Sequence, residues 1–197
     1  MRRRSFFYAG DFMIRVFALS LACLLAVPAL AVELEGVKVQ ATAHVSGQAL
    51  VLNGAGVRTK LVFKVYVASL YLPARAHDLA SVLAKGPRRV QLNMLRTLGA
   101  DQLVEAIDEG LKDNNTADEL AATKAGRAQM TAIVNGFGEL KEGSVVQIDY
   151  AEGTTTISLN GVAKGTIPGD AFNIALMRVW LGDHPVQSDL KKSMLGG

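Results

Sequence analysis

Residues 52–73 read Leu52-Asn-Gly-Ala-Gly-Val-Arg-Thr-Lys-Leu-Val-Phe-Lys-Val-Tyr-Val-Ala-Ser-Leu-Tyr-Leu-Pro73. The Asn53-Gly54-Ala55-Gly56 group predicts a turn, because glycine adopts positive φ without steric cost. Thr59 to Leu72 is rich in β-branched and aromatic residues and predicts a strand that Pro73 ends. Alternation puts Leu61, Phe63, Val65 and Val67 on one face, which is uniformly apolar and expected to meet the core. Val62, Lys64, Tyr66, Ala68 and Leu70 fall on the other. That face mixes an amine and a phenol with apolar groups, as a cavity wall or a half-wet surface would. Arg58, delivered by the glycine turn, has the same even parity as Lys64 and Tyr66. Side chains two residues apart on a strand sit about 7 Å from each other. The three would therefore form one polar group over Val62, Ala68 and Leu70.

Working outward, Val32–Val39 alternates roughly, and Gln48–Leu52 is a short apolar run between glycines. Both read as strands. After Pro73, a short helix is expected over Asp78–Leu83 with Asp78 as its cap, and Gly86-Pro87 breaks it. Arg88–Leu95 alternates as a strand. Ala100–Lys112 places Leu103, Val104, Ile107 and Leu111 on one helical stripe. Thr116–Asn135 predicts another helix, with Thr116 and Glu119 at capping-box spacing. Lys141-Glu142-Gly143 is a turn. Val145–Tyr150 and Thr154–Leu159 read as a hairpin, and Asn160-Gly161 turns into a third strand. Asp170–Leu181 is an apolar helix holding the only tryptophan, Trp180, and a last short helix starts near Ser188 or Asp189. Strands, then helices, then strands, then helices predict an α+β fold, an antiparallel sheet with helices on one side.

Residues 1–31 read as a secretory signal peptide. Arg2, Arg3, Arg4 and Arg15 precede an apolar run from Val16 to Val27, and Ala29-Leu30-Ala31 supplies a small-x-small cleavage site. Met13 opens a complete signal by itself, so Met1 and Met13 are both candidate starts. A membrane anchor is the competing reading, but the run is short for a span of about 20 residues. Cys23, the only cysteine, lies inside the run rather than at its end, where a lipoprotein would need it. Residues 32–197 are then one domain, without thiol chemistry, in a secreted or periplasmic protein, with no stable membrane span after cleavage. The formal net charge of +3 belongs to the leader. Four of the 21 Lys and Arg and one of the 18 Asp and Glu precede residue 32, leaving 17 of each beyond it. That balance, with no basic stripe, gives no basis for a nucleic-acid partner.

Arg58 carries the most chemistry. Its guanidinium stays charged, and its flat fork matches a carboxylate or enolate oxygen bidentately. A surface arginine with a rim lysine would have the same spacing, and surface ion pairs are common and weak. A register slip at the glycines would also break the shared parity. His44, His77 and His184 stand far apart without metal-ligand spacing, so no metal or cofactor is expected. His184, just past a helix, is expected to cap carbonyls. Gly54-Ala55-Gly56 is followed by a strand where a dinucleotide fingerprint requires a helix. No serine stands in a nucleophile elbow. Asp108-Glu109 and Asp118-Glu119 read as solvated helix faces.

Two segments resemble the chalcone isomerase family. Asn53–Arg58, "NGAGVR", followed by Lys64–Pro73, "KVYVASLYLP", is similar to the stretch in which a glycine turn carries an arginine into a strand ending in Tyr-Leu. Ala175–Leu195, "ALMRVWLGDHPVQSDLKKSML", resembles the helix, Gly-Glu-His turn and short helix that close those proteins. The similarity runs over nearly all of 32–197 in element order and points to secreted bacterial members. It implies an open-faced β-sandwich, with a ligand in a cleft between sheet and helices. It also implies a family arginine at Arg58, and the enzymes' strand threonine replaced by Tyr66. The helix threonine falls near Val179, and the catalytic tyrosine and asparagine fall near Leu103 and Gly110. Only Arg58 keeps its kind, so the resemblance favours the fatty-acid-binding members, in which an arginine and a tyrosine hold a carboxylate. The expected ligand is a small amphipathic anion at Arg58, Tyr66 and Lys64. An isomerase or lyase using Arg58 on an oxyanion and Tyr66 as acid is the alternative, and a scaffold with a filled cleft is a third.

Overall fold

The computed structural model describes residues 32–84 and 86–197. The leader read over 1–31 lies outside them. The chain opens with β1 (Val32–Leu34) and β2 (Val37–Val39), an antiparallel hairpin. Glu35 and Gly36 turn it with φ of 51° and 77°, the left-handed pair that matches strand twist in a two-residue loop. Next come β3 (Thr42–Val45), β4 (Gln48–Lys60) and β5 (Phe63–Leu72). Helix α1 (Leu79–Leu83) follows, capped by Asp78, whose carboxylate accepts from the Ser81 N–H at 2.8 Å. Then come β6 (Arg88–Met94), β7 (Leu98–Gly99) and α2 (Ala100–Asn114). Helices α3 (Ala117–Ala122) and α4 (Lys124–Asn135) lead to β8 (Glu139–Leu140). The chain closes with β9 (Val145–Ala151), β10 (Thr154–Leu159), β11 (Val162–Pro168), α5 (Asp170–Leu181) and α6 (Ser188–Met194).

Seven strands form one sheet in the order β11-β10-β9-β6-β5-β4-β3, and every pairing is antiparallel. Its two faces differ. One carries the main core, where Leu70, Leu92 and Ile157 meet Leu111, Leu176 and Trp180 from the helices. The other is covered only in part. Val67 and Tyr71 join Val39, Val45 and Leu50 in a small cluster near the β1–β2 hairpin. Beyond it, Gln147, Gln91 and Asn93 form a hydrogen-bonded ladder, and Arg89 grips Asp149 through two bonds of 2.5 and 2.6 Å. A sheet with one packed and one polar face is an open-faced sandwich, the expected class.

Three expectations are corrected. First, Asn53–Gly56 is not a turn. Strand β4 runs straight through it, and the turn to β5 falls at Leu61-Val62. The glycines serve close approach instead. A Cβ at Gly54 would overlap the Ser193 carbonyl, and one at Gly56 would press on Ser193 and Leu190, so α6 can lie against the strand only with glycine there. The register shift between Leu52 and Gly54 leaves Asn53 as the extra residue of a bulge. Its buried amide donates to the carbonyls of Ala76 and Met194 and accepts from the Ala76 N–H, at 2.7–2.9 Å. Second, the even face of β5 meets the main core. Tyr66, Ala68, Leu70 and Leu72 are buried there, whereas Leu61 and Phe63 are exposed and Val67 turns to the smaller cluster. A register shift that leaves Val65 as an extra residue changes the parity, so Val65 before it and Tyr66 and Ala68 after it all face the helices. Third, Thr116–Asn135 is two helices. The capping box at Thr116 and Glu119 forms, but Thr123 interrupts the run by returning its hydroxyl to the Glu119 carbonyl at 2.7 Å.

Candidate functional site

A cleft of about 540 Å³ opens between one end of the sheet and the helices. This lies within the roughly 300–1,000 Å³ of small-molecule sites. Strand β5 supplies Phe63, Val65 and Tyr66. Helix α2 supplies Leu103 and Ile107, and α5 supplies Val179 and Trp180. Gly110 sets the spacing of the two helices, because a Cβ there would come within 2.8 Å of the Val179 side chain. The rim is charged, with Lys60 and Arg96 on the sheet side and Glu105, Glu109 and Asp113 on α2.

Arg58 and Tyr66 both line this cleft and are register partners across β4 and β5. Tyr66 is only 7 % exposed. The Trp180 indole N–H donates to its oxygen at 3.2 Å. An indole can only donate, so the phenol must accept, and its own O–H proton remains for another acceptor. Burial raises the pKa of Tyr66, opposed by the Trp180 bond and the nearby Arg58 charge. The phenol is therefore a neutral donor at physiological pH. The Arg58 guanidinium donates through Nη1 to the Thr59 carbonyl at 2.7 Å and to Gln187 Oε1 at 3.4 Å. Among the described residues it pairs with no carboxylate. Two donors thus share an apolar hollow whose own acidic groups stay at the rim.

Lys64 does not join them, which corrects the three-residue group. It is exposed and bonds Glu35 at 2.7 Å in the β1–β2 turn. The reason is a second register shift. Arg58 pairs with Tyr66 but Thr59 pairs with Lys64, so Val65 is the extra residue. A bulge reverses alternation, and Phe63, Val65 and Tyr66 all line the cleft while Lys64 leaves it. His184 also differs from expectation. Asn114 clamps its backbone, accepting from its N–H at 2.9 Å and donating to its carbonyl at 2.7 Å. The carbonyl that ends α5, at Gly182, is reached by Lys191 instead.

Sequence reading missed Gln187. Its side chain accepts from the Thr59 N–H at 2.8 Å and donates to the Val57 carbonyl at 3.3 Å, so α6 holds the strand on both sides of Arg58. Nothing in the residue type announced this. The Trp180–Tyr66 bond had a signal: a buried indole needs an acceptor. A second hollow, of about 580 Å³, lies beside Asn115, Glu119 and Arg178. Its groups satisfy one another, with Arg178 donating to Asn115 and Glu119 at 2.9 and 2.8 Å. Glu119, held low in pKa chiefly by that Arg178 bond, is already committed. Among the described residues no group of three or more His, Cys, Asp or Glu could hold a metal.

A family model described as chalcone isomerase-like matches residues 31–196. The chain belongs to the chalcone isomerase-like family. A solved structure, an Arabidopsis thaliana fatty-acid binding protein, matches with a TM-score of 0.63 at 12 % identity, over 84 % of this chain and 95 % of the other. At that identity the likeness is one of fold. Comparison with curated proteins finds no match. The positions that the family resemblance singled out, Arg58, Tyr66, Leu103, Gly110 and Val179, line one cleft.

Proposed function

We propose that the protein holds an amphipathic carboxylate, such as a fatty acid, with its head group between Arg58 and Tyr66 and its chain among the aliphatic side chains of α2 and α5. One observation carries this reading: the Trp180 N–H takes an acceptor position on the Tyr66 oxygen, which leaves the phenol proton free to donate beside a guanidinium that can only donate, and both groups line the cleft. A carboxylate accepts from both, and hydrogen bonds to a charged group contribute about 1.5–3 kcal/mol each. The fatty-acid binding protein of like fold supports the ligand class. Catalysis has less support. Leu103, Gly110 and Val179 bring no polar group to a ketone, and a buried phenol with a raised pKa is a poor acid. The leader reading would place the protein in the periplasm or outside the cell.

Native mass spectrometry of the purified protein tests this. We expect an adduct of fatty-acid mass in the wild type that Arg58→Ala loses. Protein that carries none, and takes up none from micromolar laurate, would contradict the reading.

A further inference from the structure

The side chains at the tip of the β4–β5 hairpin project out of the fold. Leu61 and Val62 are 89 % and 82 % exposed and Phe63 54 %. Leu61 and Val62 are the two most exposed large hydrophobic residues among those described. Leu61 also sits at φ 58°. A leucine in the left-handed region is strained by contact of its Cβ with the following carbonyl, where asparagine or glycine is at ease. The other non-glycine residues with positive φ are Glu35, Ser46, Glu152 and Asn160, all polar. The two-residue turn demands that φ but not a leucine, and an exposed leucine there adds nothing to the core, so the residue type points to function.

The surroundings say what the tip meets. Lys60 and Lys64 flank it directly, and Arg96 stacks on Phe63 with its guanidinium carbon 4.7 Å from the ring centre. Lys64 bonds Glu35, which offsets one of the three cations. The acidic rim residues Glu105, Glu109 and Asp113 belong to α2 across the cleft, not to the hairpin. Exposed apolar side chains ringed by cations form the pattern of an interfacial membrane contact: the apolar groups enter the acyl boundary and the cations meet anionic head groups. Leu61 and Phe63 also line the cleft.

We propose that the hairpin tip Lys60–Lys64, with Arg96, docks the protein on the surface of an anionic phospholipid bilayer, with the acidic α2 side of the cleft turned away from the lipid. This stands on the hairpin alone and does not require the fatty-acid reading.

Vesicle co-sedimentation tests it, with the protein as cells process it compared side by side with the double variant Leu61→Asn/Val62→Ser. Wild type should bind vesicles containing phosphatidylglycerol and bind phosphatidylcholine vesicles more weakly, with the preference shrinking in high salt. The double variant should bind the anionic vesicles at least tenfold more weakly. Lys60→Glu should bind them about fivefold or more below wild type. Asparagine suits the φ of Leu61, so the double variant should melt no lower than wild type, which separates lost docking from lost folding. The proposal is overturned if wild type ignores anionic vesicles, prefers neutral ones, or is matched by the double variant. Loss of a wild-type dimer in the double variant, with no vesicle binding by either, would also overturn it by assigning the tip to a second copy. Fatty-acid uptake from solution without vesicle binding would sink this proposal and leave the ligand reading intact.

Discussion

Arg89 and Arg58 stand on one sheet, on strands separated by β5, and are treated in opposite ways. Arg89, on the open face, is closed by the protein itself. Asp149 takes two of its N–H groups, and the His44 carbonyl accepts a further bond at 3.2 Å. Arg58, on the helical side, has the Thr59 carbonyl, the Gln187 amide oxygen and a cavity. On the open face the fold meets Arg89 with a carboxylate. At Arg58 it supplies neutral acceptors and a neutral phenol instead, so the charge remains available to an anion from outside.

The widest separation between the two should appear in stability. Asp149→Ala leaves a largely buried guanidinium without its acid and should cost about 2–3 kcal/mol in urea unfolding. Arg58→Ala should change stability by no more than about 0.5 kcal/mol, because Gln187 still holds Thr59 and Val57. Equal losses would break the comparison. In affinity the order reverses: Arg58→Ala should weaken laurate binding thirtyfold or more in calorimetry, and Arg58→Lys should restore only part, since an ammonium lacks the fork. Gly54→Ala sharpens the point by acting at a distance. Its methyl meets backbone at Ser193, so α6 must shift, at a cost of about 1–2 kcal/mol. Gln187 then moves off the strand, so affinity should fall although no ligand contact changed.

The smallest effect on affinity should come from Tyr66→Phe, which removes one neutral donor and should weaken laurate about fivefold, while the buried Trp180 N–H left without its acceptor lowers stability by about 1–3 kcal/mol. It has a pH signature. Burial raises the Tyr66 pKa in the folded state above the usual value near 10. The unfolded chain therefore loses that proton first, and stability falls as pH rises from about 10 toward the folded pKa. Tyr66→Phe should make that alkaline fall in melting temperature shallower. Tyr71 and Tyr150, also raised chiefly by burial, keep part of it.

Most of the architecture was legible because period and capping are local. The helix over Asp170–Leu181, the capping box at Thr116 and Glu119, and the 145–159 hairpin all stand where the pattern put them. What misled was glycine and parity. Gly54 and Gly56 look like turn residues, but their job is contact with α6, more than 130 residues away in sequence, and no local signal carries that. Alternation grouped Lys64 with Tyr66 until a bulge at Val65 separated them, and bulges depend on pairing with the neighbouring strand. Arg58 and Tyr66 survived the same uncertainty because they face each other across the register. Gln187 acts wholly through tertiary contact and left no trace in its neighbours.

The most direct measurement is a calorimetric comparison of laurate with dodecanol, which differ only at the head group, on wild type and Arg58→Ala. The account predicts that wild type prefers the acid at least thirtyfold and that Arg58→Ala binds the two within about twofold of each other. Equal binding of acid and alcohol by wild type, or an acid preference that survives the loss of Arg58, would contradict it.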